Sequence, residues 1–311
     1  MKHNLKITFI LLAMFILTQF IGLYVVSYYS PVKIIEGEIQ NVTEPKILPF
    51  GMDSPKVEKE SDYYNFFSSI IISFIIAILL LTFLTKFKAE FILKLWFFIV
   101  VMIALGISLK TILPDIKYIT LISLIIVLPL AYIKIYQRNF LVHNLTELFI
   151  YPGIAAVFVP ILNIYTIIAL LIAISIYDMW AVWHSGIMQK MAKYQINELK
   201  IFSGFFIPYA SKKVKLQIQK IKESKKKLGK KIKVNVAILG GGDIIFPIIT
   251  SGVMLKTLGF IPAIFVIIGA TIGLSYLFFF AKKKKFYPAM PFITAGIFLG
   301  IIIGYLFDKF I

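Results

Sequence analysis

The chain has 311 residues, of which 59% are hydrophobic and only 15% are charged, and its mean hydropathy is +0.90. Soluble domains carry about 25% charged residues, so this composition indicates a membrane protein and excludes a water-soluble globular domain. Cysteine is absent and only three histidines occur. The sequence therefore offers no thiolate nucleophile and argues against a cysteine- or histidine-rich metal site, and we predict neither a metal nor a cofactor.

The net charge of +18 comes from 33 lysines and arginines, most of which lie in clusters between long apolar runs. Such clusters mark the loops of a membrane protein, and basic loops are attracted to anionic lipid headgroups. We therefore predict contacts with anionic membrane lipids and no nucleic-acid partner.

Nine apolar stretches can cross a bilayer, since a spanning helix needs about 20 apolar residues and somewhat fewer when flanking side chains extend to the headgroups; the fourth and fifth stretches are short. They predict an all-α fold, a polytopic membrane helical bundle with nine transmembrane helices. The first stretch exceeds the apolar region of a cleavable signal peptide, so we interpret it as a retained helix. The predicted spans are residues 7–29, 64–85, 91–109, 118–133, 145–160, 163–186, 234–255, 258–280 and 288–307.

The positive-inside rule predicts the orientation, because cytoplasmic loops are enriched in lysine and arginine. With the N-terminus inside, the inner segments hold 25 of the 33 basic residues and the outer segments hold eight. This predicts a multi-pass protein of the cell membrane with a cytoplasmic N-terminus and an outer C-terminus. The chain then divides into residues 1–186 with helices 1–6 and the outer loop 31–62, a basic cytoplasmic loop at 187–233, and residues 234–311 with helices 7–9.

Three of the 15 acidic residues fall inside the predicted spans: Glu147, Asp178 and Asp243. A carboxylate at mid-span costs about 2.5–3.5 kcal/mol on insertion scales, so each is a functional hypothesis. Glu147 lies within a turn of its predicted helix start, and we interpret it as an interfacial or inter-helix polar contact. Asp178 and Asp243 lie on consecutive antiparallel helices, both roughly 12–13 Å below the inner surface, so their side chains can face each other.

Two facing carboxylates suit peptide hydrolysis, because the ionised member can deprotonate a water while the protonated member polarises a carbonyl. The pair titrates as a unit, so either aspartate can be the base. The glycines that precede Asp243 remove side chains where a substrate backbone must approach. Glycines within a span also permit tight helix packing, and that alternative stays open.

Three short motifs occur in order along the chain. They are Tyr177-Asp178 in the sixth predicted span, Gly240-Gly241-Gly242-Asp243 in the seventh, and Pro288-Ala289-Met290 at the start of the ninth. In order and span number these resemble the YD, GxGD and PAL motifs of the presenilin and signal peptide peptidase family of intramembrane aspartyl proteases. The sequences around these motifs look most like those of the small archaeal members. Met290 departs from the family's leucine, a swap that keeps size and apolarity.

The resemblance implies that Asp178 and Asp243 are catalytic and that Tyr177, the three glycines and residues 288–290 support the active site or bind substrate. It also implies a presenilin-like bundle with the sixth and seventh helices inside and the ninth beside them. Expected substrates are transmembrane helices of membrane proteins or signal peptides, unwound before cleavage. The unwound segment can pair as a strand near the glycines and Pro288. No obligatory protein partner is expected.

The chain contains no HExxH motif of a zinc protease and no GxSxG motif of a serine enzyme. Two buried acids on glycine- and proline-broken helices also describe a proton-coupled transporter or channel. A relative that binds transmembrane helices as an inactive scaffold is the third alternative.

Overall fold

A computed structural model describes residues 5–30, 33–35, 38–40, 46–53, 55, 57–87, 89–113, 118–137, 139–186, 194–199, 201–209, 235–281 and 287–310. Within these residues the chain forms nine α-helices, which confirms the predicted all-α membrane bundle. They are α1 (Leu5–Tyr29), α2 (Glu60–Lys86), α3 (Glu90–Lys110), α4 (Ile119–Tyr132), α5 (Phe140–Phe158), α6 (Ile164–Trp183), α7 (Gly241–Thr257), α8 (Phe260–Phe280) and α9 (Met290–Phe310).

Shorter elements join the helices. One antiparallel hairpin, β1 (Lys33–Ile35) and β2 (Glu38–Gln40), lies in the predicted outer loop. A second, β3 (Gly204–Tyr209) and β4 (Asn235–Gly240), leads directly into α7. The predicted basic loop 187–233 is therefore not wholly irregular, since β3 and a π-helical turn at Gln195–Leu199 lie within it. Residues 187–193, 200 and 210–233 of that loop lie outside the described residues.

Side-chain caps account for the helix starts that frame α5 and α6. The Asn139 side chain accepts the backbone N–H groups of Leu141 and Val142, so α5 begins earlier than the predicted residue 145. Asn163 and Thr166 form a reciprocal capping box at the start of α6. Together with a 3-10 turn at Val159–Ile161, this cap confirms the predicted break between the fifth and sixth spans.

The seventh predicted span, 234–255, differs from the observed element. Its first residues form the strand β4, and the helix α7 begins only at Gly241 and has 17 residues. The cause is the run of three glycines, which have low helix propensity and disfavour helix continuation through that segment. Eight of the nine described helices have the length and apolar composition to cross a membrane, and α7 is the short one.

The bundle is held by close backbone contacts between helices. A methyl group built on Gly269 of α8 would lie 2.1 Å from the carbonyl oxygen of Gly296 on α9, and the reverse substitution meets the same distance. The backbones of α8 and α9 thus pack without intervening side chains, as small residues allow in membranes. The largest buried cluster joins α1, α5, α6, α7, α8 and α9.

Candidate active site

Asp178 lies on α6, five residues before its end, and is 7% exposed. Its Oδ2 accepts the backbone N–H of Met290 at 3.0 Å. Met290 is the first residue of α9, and the first N–H groups of a helix have no partner within it. The carboxylate therefore supplies an acceptor to the start of α9 and joins two of the predicted motifs, which are 112 residues apart in sequence.

The Pro288-Ala289-Met290 motif lies where the sequence analysis placed it, at the start of the ninth helix. Pro288 and Met290 are buried and Ala289 is partly buried. A proline just before a helix withholds an N–H that would lack a helical partner anyway. The motif therefore leaves the N–H of Met290 directed at Asp178, and this contact is a physical reason for the motif.

Asp243 is the third residue of α7 and is partly buried. Gly240 is the N-cap of this helix, and a methyl group built on it would lie 3.2 Å from Oδ2 of Asp243. A side chain at residue 240 would thus crowd the carboxylate. The hairpin β3–β4 delivers the chain to this point, because β4 ends at Gly240.

The three glycines have different surroundings, so both interpretations of them apply at different positions. A methyl group on Gly241 would lie 2.7 Å from the hydroxyl oxygen of Tyr151 and 2.9 Å from that of Ser203. Gly241 is therefore required for packing against α5. Gly242 is exposed, and a methyl group there would meet only Phe246, at the ordinary distance of 3.8 Å. Gly242 is the glycine beside which another backbone has room to approach.

The two aspartates lie nearer to the ends of their helices than the sequence predicts. Because α6 ends at Trp183 and α7 begins at Gly241, Asp178 lies about 7.5 Å and Asp243 about 3 Å along the axis from those ends. Both remain at the same end of consecutive helices. The difference arises because the predicted sixth span included residues 184–186 and the predicted seventh span included β4.

A cavity of about 790 Å³ is lined in part by residues that neighbour the two aspartates in sequence, and it has the size of a pocket for a substantial ligand. Tyr177, the neighbour of Asp178, contributes to its wall, as does Phe246, one turn after Asp243. The remaining wall residues are almost all apolar and come mainly from α2, α6 and α7. The cavity therefore suits an apolar segment.

Tyr177 packs against α2 across this cavity. Its ring makes an edge contact with Phe74 of α2, with ring centroids 5.2 Å apart and an interplanar angle of 84°. The contact observed for Tyr177 is thus packing on a neighbouring helix. Trp180 lines the same cavity, a role that the sequence analysis did not predict because tryptophans are common at membrane interfaces.

Glu147 is buried, at 1% exposure, and lies in an inter-helix polar contact. Its Oε1 accepts a hydrogen bond from Nζ of Lys134, which is also buried, at 6% exposure. Because α5 begins at Phe140, Glu147 is two turns inside its helix. The third intramembrane acid is thus an ion-pair member, and Lys134 is the partner that the sequence analysis missed.

Gln19 of α1 is a second buried polar residue near the site, with 0% exposure. Its side-chain amide donates to the carbonyl oxygen of Ile244 at 3.1 Å, and Ile244 directly follows Asp243. Pro247 removes one backbone donor from this part of α7. A glutamine within an otherwise apolar first helix is the signal that could have marked this contact.

Within the described part of the chain, no three acidic, histidine or cysteine side chains lie close enough together to hold a metal ion.

The sequence matches the model of the family described as "Signal-peptide peptidase, presenilin aspartyl protease" over residues 47–310. The chain belongs to this family. Members of this family are aspartyl proteases, so the chain is an enzyme of this class. Its apolar helices also make it a multi-pass membrane protein. Family membership therefore favours a protease over the transporter and scaffold alternatives.

Solved structures agree in fold. One is described as a presenilin family intramembrane aspartate protease in a C222 space group and has a TM-score of 0.59 and 17% identity, covering 96% of this chain and 99% of its own. A second, from a P2 space group, has a TM-score of 0.57 and 18% identity, covering 96% of each chain. A search of curated protein sequences gave no match.

Proposed function

We propose that this chain is an intramembrane aspartyl endopeptidase in which Asp178 and Asp243 form the catalytic dyad. The observation that carries the proposal is the hydrogen bond from the Met290 N–H to the Asp178 carboxylate. It brings the start of α9 to an acid on α6, while Phe246 of α7 borders the same cavity as Tyr177. The start of α9 thus contacts the aspartate of α6, and Tyr177 and Phe246, which neighbour the two aspartates in sequence, line one apolar cavity.

The proposed reaction is hydrolysis of a peptide bond by an activated water. The ionised aspartate takes a proton from water, and the resulting hydroxide attacks the scissile carbonyl carbon. The protonated aspartate donates to the carbonyl oxygen, and collapse of the tetrahedral intermediate expels the amine with a proton. Either aspartate can be the base, since the pair titrates as a unit.

The proposed substrates are transmembrane helices of membrane proteins or signal peptides. The apolar cavity wall supports this class, because a hydrated ion needs polar groups along its path. A helical peptide bond is shielded by its own hydrogen bonds, so the substrate must unwind near the dyad. β4 supports strand pairing of the unwound segment beside the glycines, and its Val236 and Ile238 are 44% and 37% exposed.

The proposed setting is the cell membrane, with the N-terminus and the loop 187–233 on the cytoplasmic side and the C-terminus outside. Basic loops support contact with anionic lipids. We propose that the enzyme acts without a cofactor, a nucleic acid or an obligatory protein partner.

Cleavage of a labelled transmembrane peptide by detergent-purified protein tests the dyad. We expect Asp178→Asn and Asp243→Asn each to lower kcat/KM by at least about 100-fold, the lower limit for removing a general acid or base. Asparagine is the sharper substitution at residue 178, because its amide oxygen still accepts the N–H of Met290. Glu90→Gln, which changes an exposed acid on α3, is the matched control and should cleave like the wild type. If both aspartate variants also do so, the dyad assignment is wrong.

A further inference from the structure

The outer edge of β3, which faces α5, is occupied by two side chains. The Asn144 amide donates to the carbonyl oxygen of Phe206 at 3.0 Å and accepts the N–H of the same residue at 3.2 Å. Nε2 of His143 lies 2.8 Å from the carbonyl oxygen of Gly204, so that nitrogen carries the donated proton. Two consecutive residues of α5 thus satisfy three backbone groups of one strand.

The strand register shows that these are the groups a further strand would need. In an antiparallel ladder, residues whose backbone groups face the partner strand alternate with residues whose groups face away. Phe206 faces away from β4, because both its backbone groups bond to Asn144, and so do Gly204 and Pro208, two residues to either side. Pro208 has no N–H to offer. The outer edge of β3 is therefore occupied at both backbone groups of Phe206 and at the carbonyl of Gly204, and Pro208 offers it no donor.

The outer edge of β4 is different. Val236, Ile238 and Gly240 are the register partners of the three outward-facing residues of β3, so their backbone groups also face away from the hairpin. The described residues form a two-stranded sheet here, with no third strand on β4. This edge ends at Gly240, whose Cβ position lies 3.2 Å from the Asp243 carboxylate.

A buried ion pair supports the contact between α5 and β3. Nζ of Lys134 lies 3.2 Å from Nδ1 of His143 and also donates to Glu147. Since a lysine ammonium is only a donor, Nδ1 must accept, which agrees with Nε2 being the protonated nitrogen toward Gly204. The orientation of the His143 ring is thus determined from both sides.

We propose that Asn144 and His143 are positioning residues that close the outer edge of β3, so that the unwound backbone of a substrate adds as a strand to β4 alone. This inference rests on the proposed protease function and specifies how the substrate is aligned. Pairing on β4 carries the substrate past Asp243, whereas pairing on β3 would hold it one strand further away. The two residues touch neither the substrate nor the aspartates, so they act through the hairpin.

Cysteine cross-linking can distinguish the two edges, because the chain has no cysteine. Val236 and Pro208 are register partners and so lie at the same level on opposite strands. Val236→Cys and Pro208→Cys are each made in an Asp243→Asn chain, which keeps the peptide intact. Transmembrane peptides with a single cysteine at successive positions are then oxidised with each variant. Pro208→Cys gains an N–H, which only favours pairing on β3.

We expect the yield of cross-linked product to be about tenfold higher for Val236→Cys than for Pro208→Cys, the ratio expected from one net hydrogen bond. Adding Asn144→Leu should lower this ratio several-fold. His143→Phe, which keeps the ring packed on Phe206, should act in the same direction if Asn144→Leu does not fold. Asn163→Leu is the control for a lost asparagine contact, because Asn163 caps α6 and does not bond to the hairpin; it should leave the ratio unchanged.

In the chain with both aspartates intact, Asn144→Leu should raise KM more than it lowers kcat and should add cleavage at neighbouring bonds, as judged by product masses. An unchanged cross-linking ratio together with unchanged cleavage positions overturns the inference. Cleavage by the wild type without cross-linking at either cysteine also overturns it and leaves the proposed function standing. Selective cross-linking at Val236→Cys without any cleavage by the wild type would support the inference about the strand edges and contradict the proposed protease function.

Discussion

Single side chains of this protein carry out unexpectedly different tasks at similar depth in the bundle. Asp178 supplies an acceptor to the first N–H of α9, whereas Glu147 pairs with a lysine on the neighbouring segment. Both are carboxylates within predicted spans, and hydropathy does not separate them. Their partners distinguish them. The N–H at a helix N-terminus leaves the Asp178 carboxylate able to take part in catalysis, whereas a direct ion pair engages the Glu147 carboxylate.

The buried pair of Lys134 and Glu147 gives a prediction for stability. Lys134→Met leaves an uncompensated buried charge at Glu147, which typically costs about 3–5 kcal/mol. We therefore expect Lys134→Met to lower the free energy of unfolding in detergent by that amount, measured by chemical denaturation. The double variant Lys134→Met/Glu147→Gln removes both charges and should recover most of the loss.

The double variant is also the control for packing, since it keeps the same methionine. A loss in the double variant equal to that in the single variant would mean that packing of the lysine stem, and not its charge, stabilises this region.

At the scale of elements, the helices follow from apolar length, and their contacts follow from small residues. The predicted spans correspond to the observed helices because main-chain groups in a bilayer must bond within the segment. The exception is the start of the seventh span, where β4 replaces a helix. Its alternation of exposed Val236 and Ile238 with buried Ala237 and Leu239 is a strand pattern, but every member is apolar, so hydropathy alone did not show it.

The contact between α8 and α9 gives a prediction at this scale. Gly296→Ala would place a methyl group 2.1 Å from the carbonyl oxygen of Gly269, and because that atom is backbone, the two helices must separate. We expect the free energy of unfolding to fall by about 1–3 kcal/mol, as is typical of overpacking. Thermal unfolding in detergent measures the change.

Gly242→Ala is the matched control for this substitution, because its methyl group would meet only the Phe246 ring at 3.8 Å. It should leave thermal stability close to that of the wild type. Equal destabilisation by both variants would show that loss of glycine itself, and not helix contact, causes the effect.

At the scale of the whole molecule, the charge distribution predicts the orientation in the membrane. Lys59 precedes α2 and His184 follows α6, and both are exposed. We expect a membrane-impermeant thiol reagent to label Lys59→Cys in intact cells and to label His184→Cys only after permeabilisation. The absence of native cysteine makes each label specific. Labelling of His184→Cys in intact cells would reverse the proposed orientation.

The amino-acid sequence by itself determined that this is a helical membrane protein, with nine α-helices among the described residues, and that Asp178, Asp243 and the segment 288–290 are its distinctive residues. Hydropathy and short motifs are local properties, so they can be read along the chain. Only the tertiary structure decided that Met290 donates to Asp178, that β4 precedes α7, and that Asn144 closes the edge of β3. These depend on contacts between residues distant in sequence, and such contacts form only when the whole bundle packs.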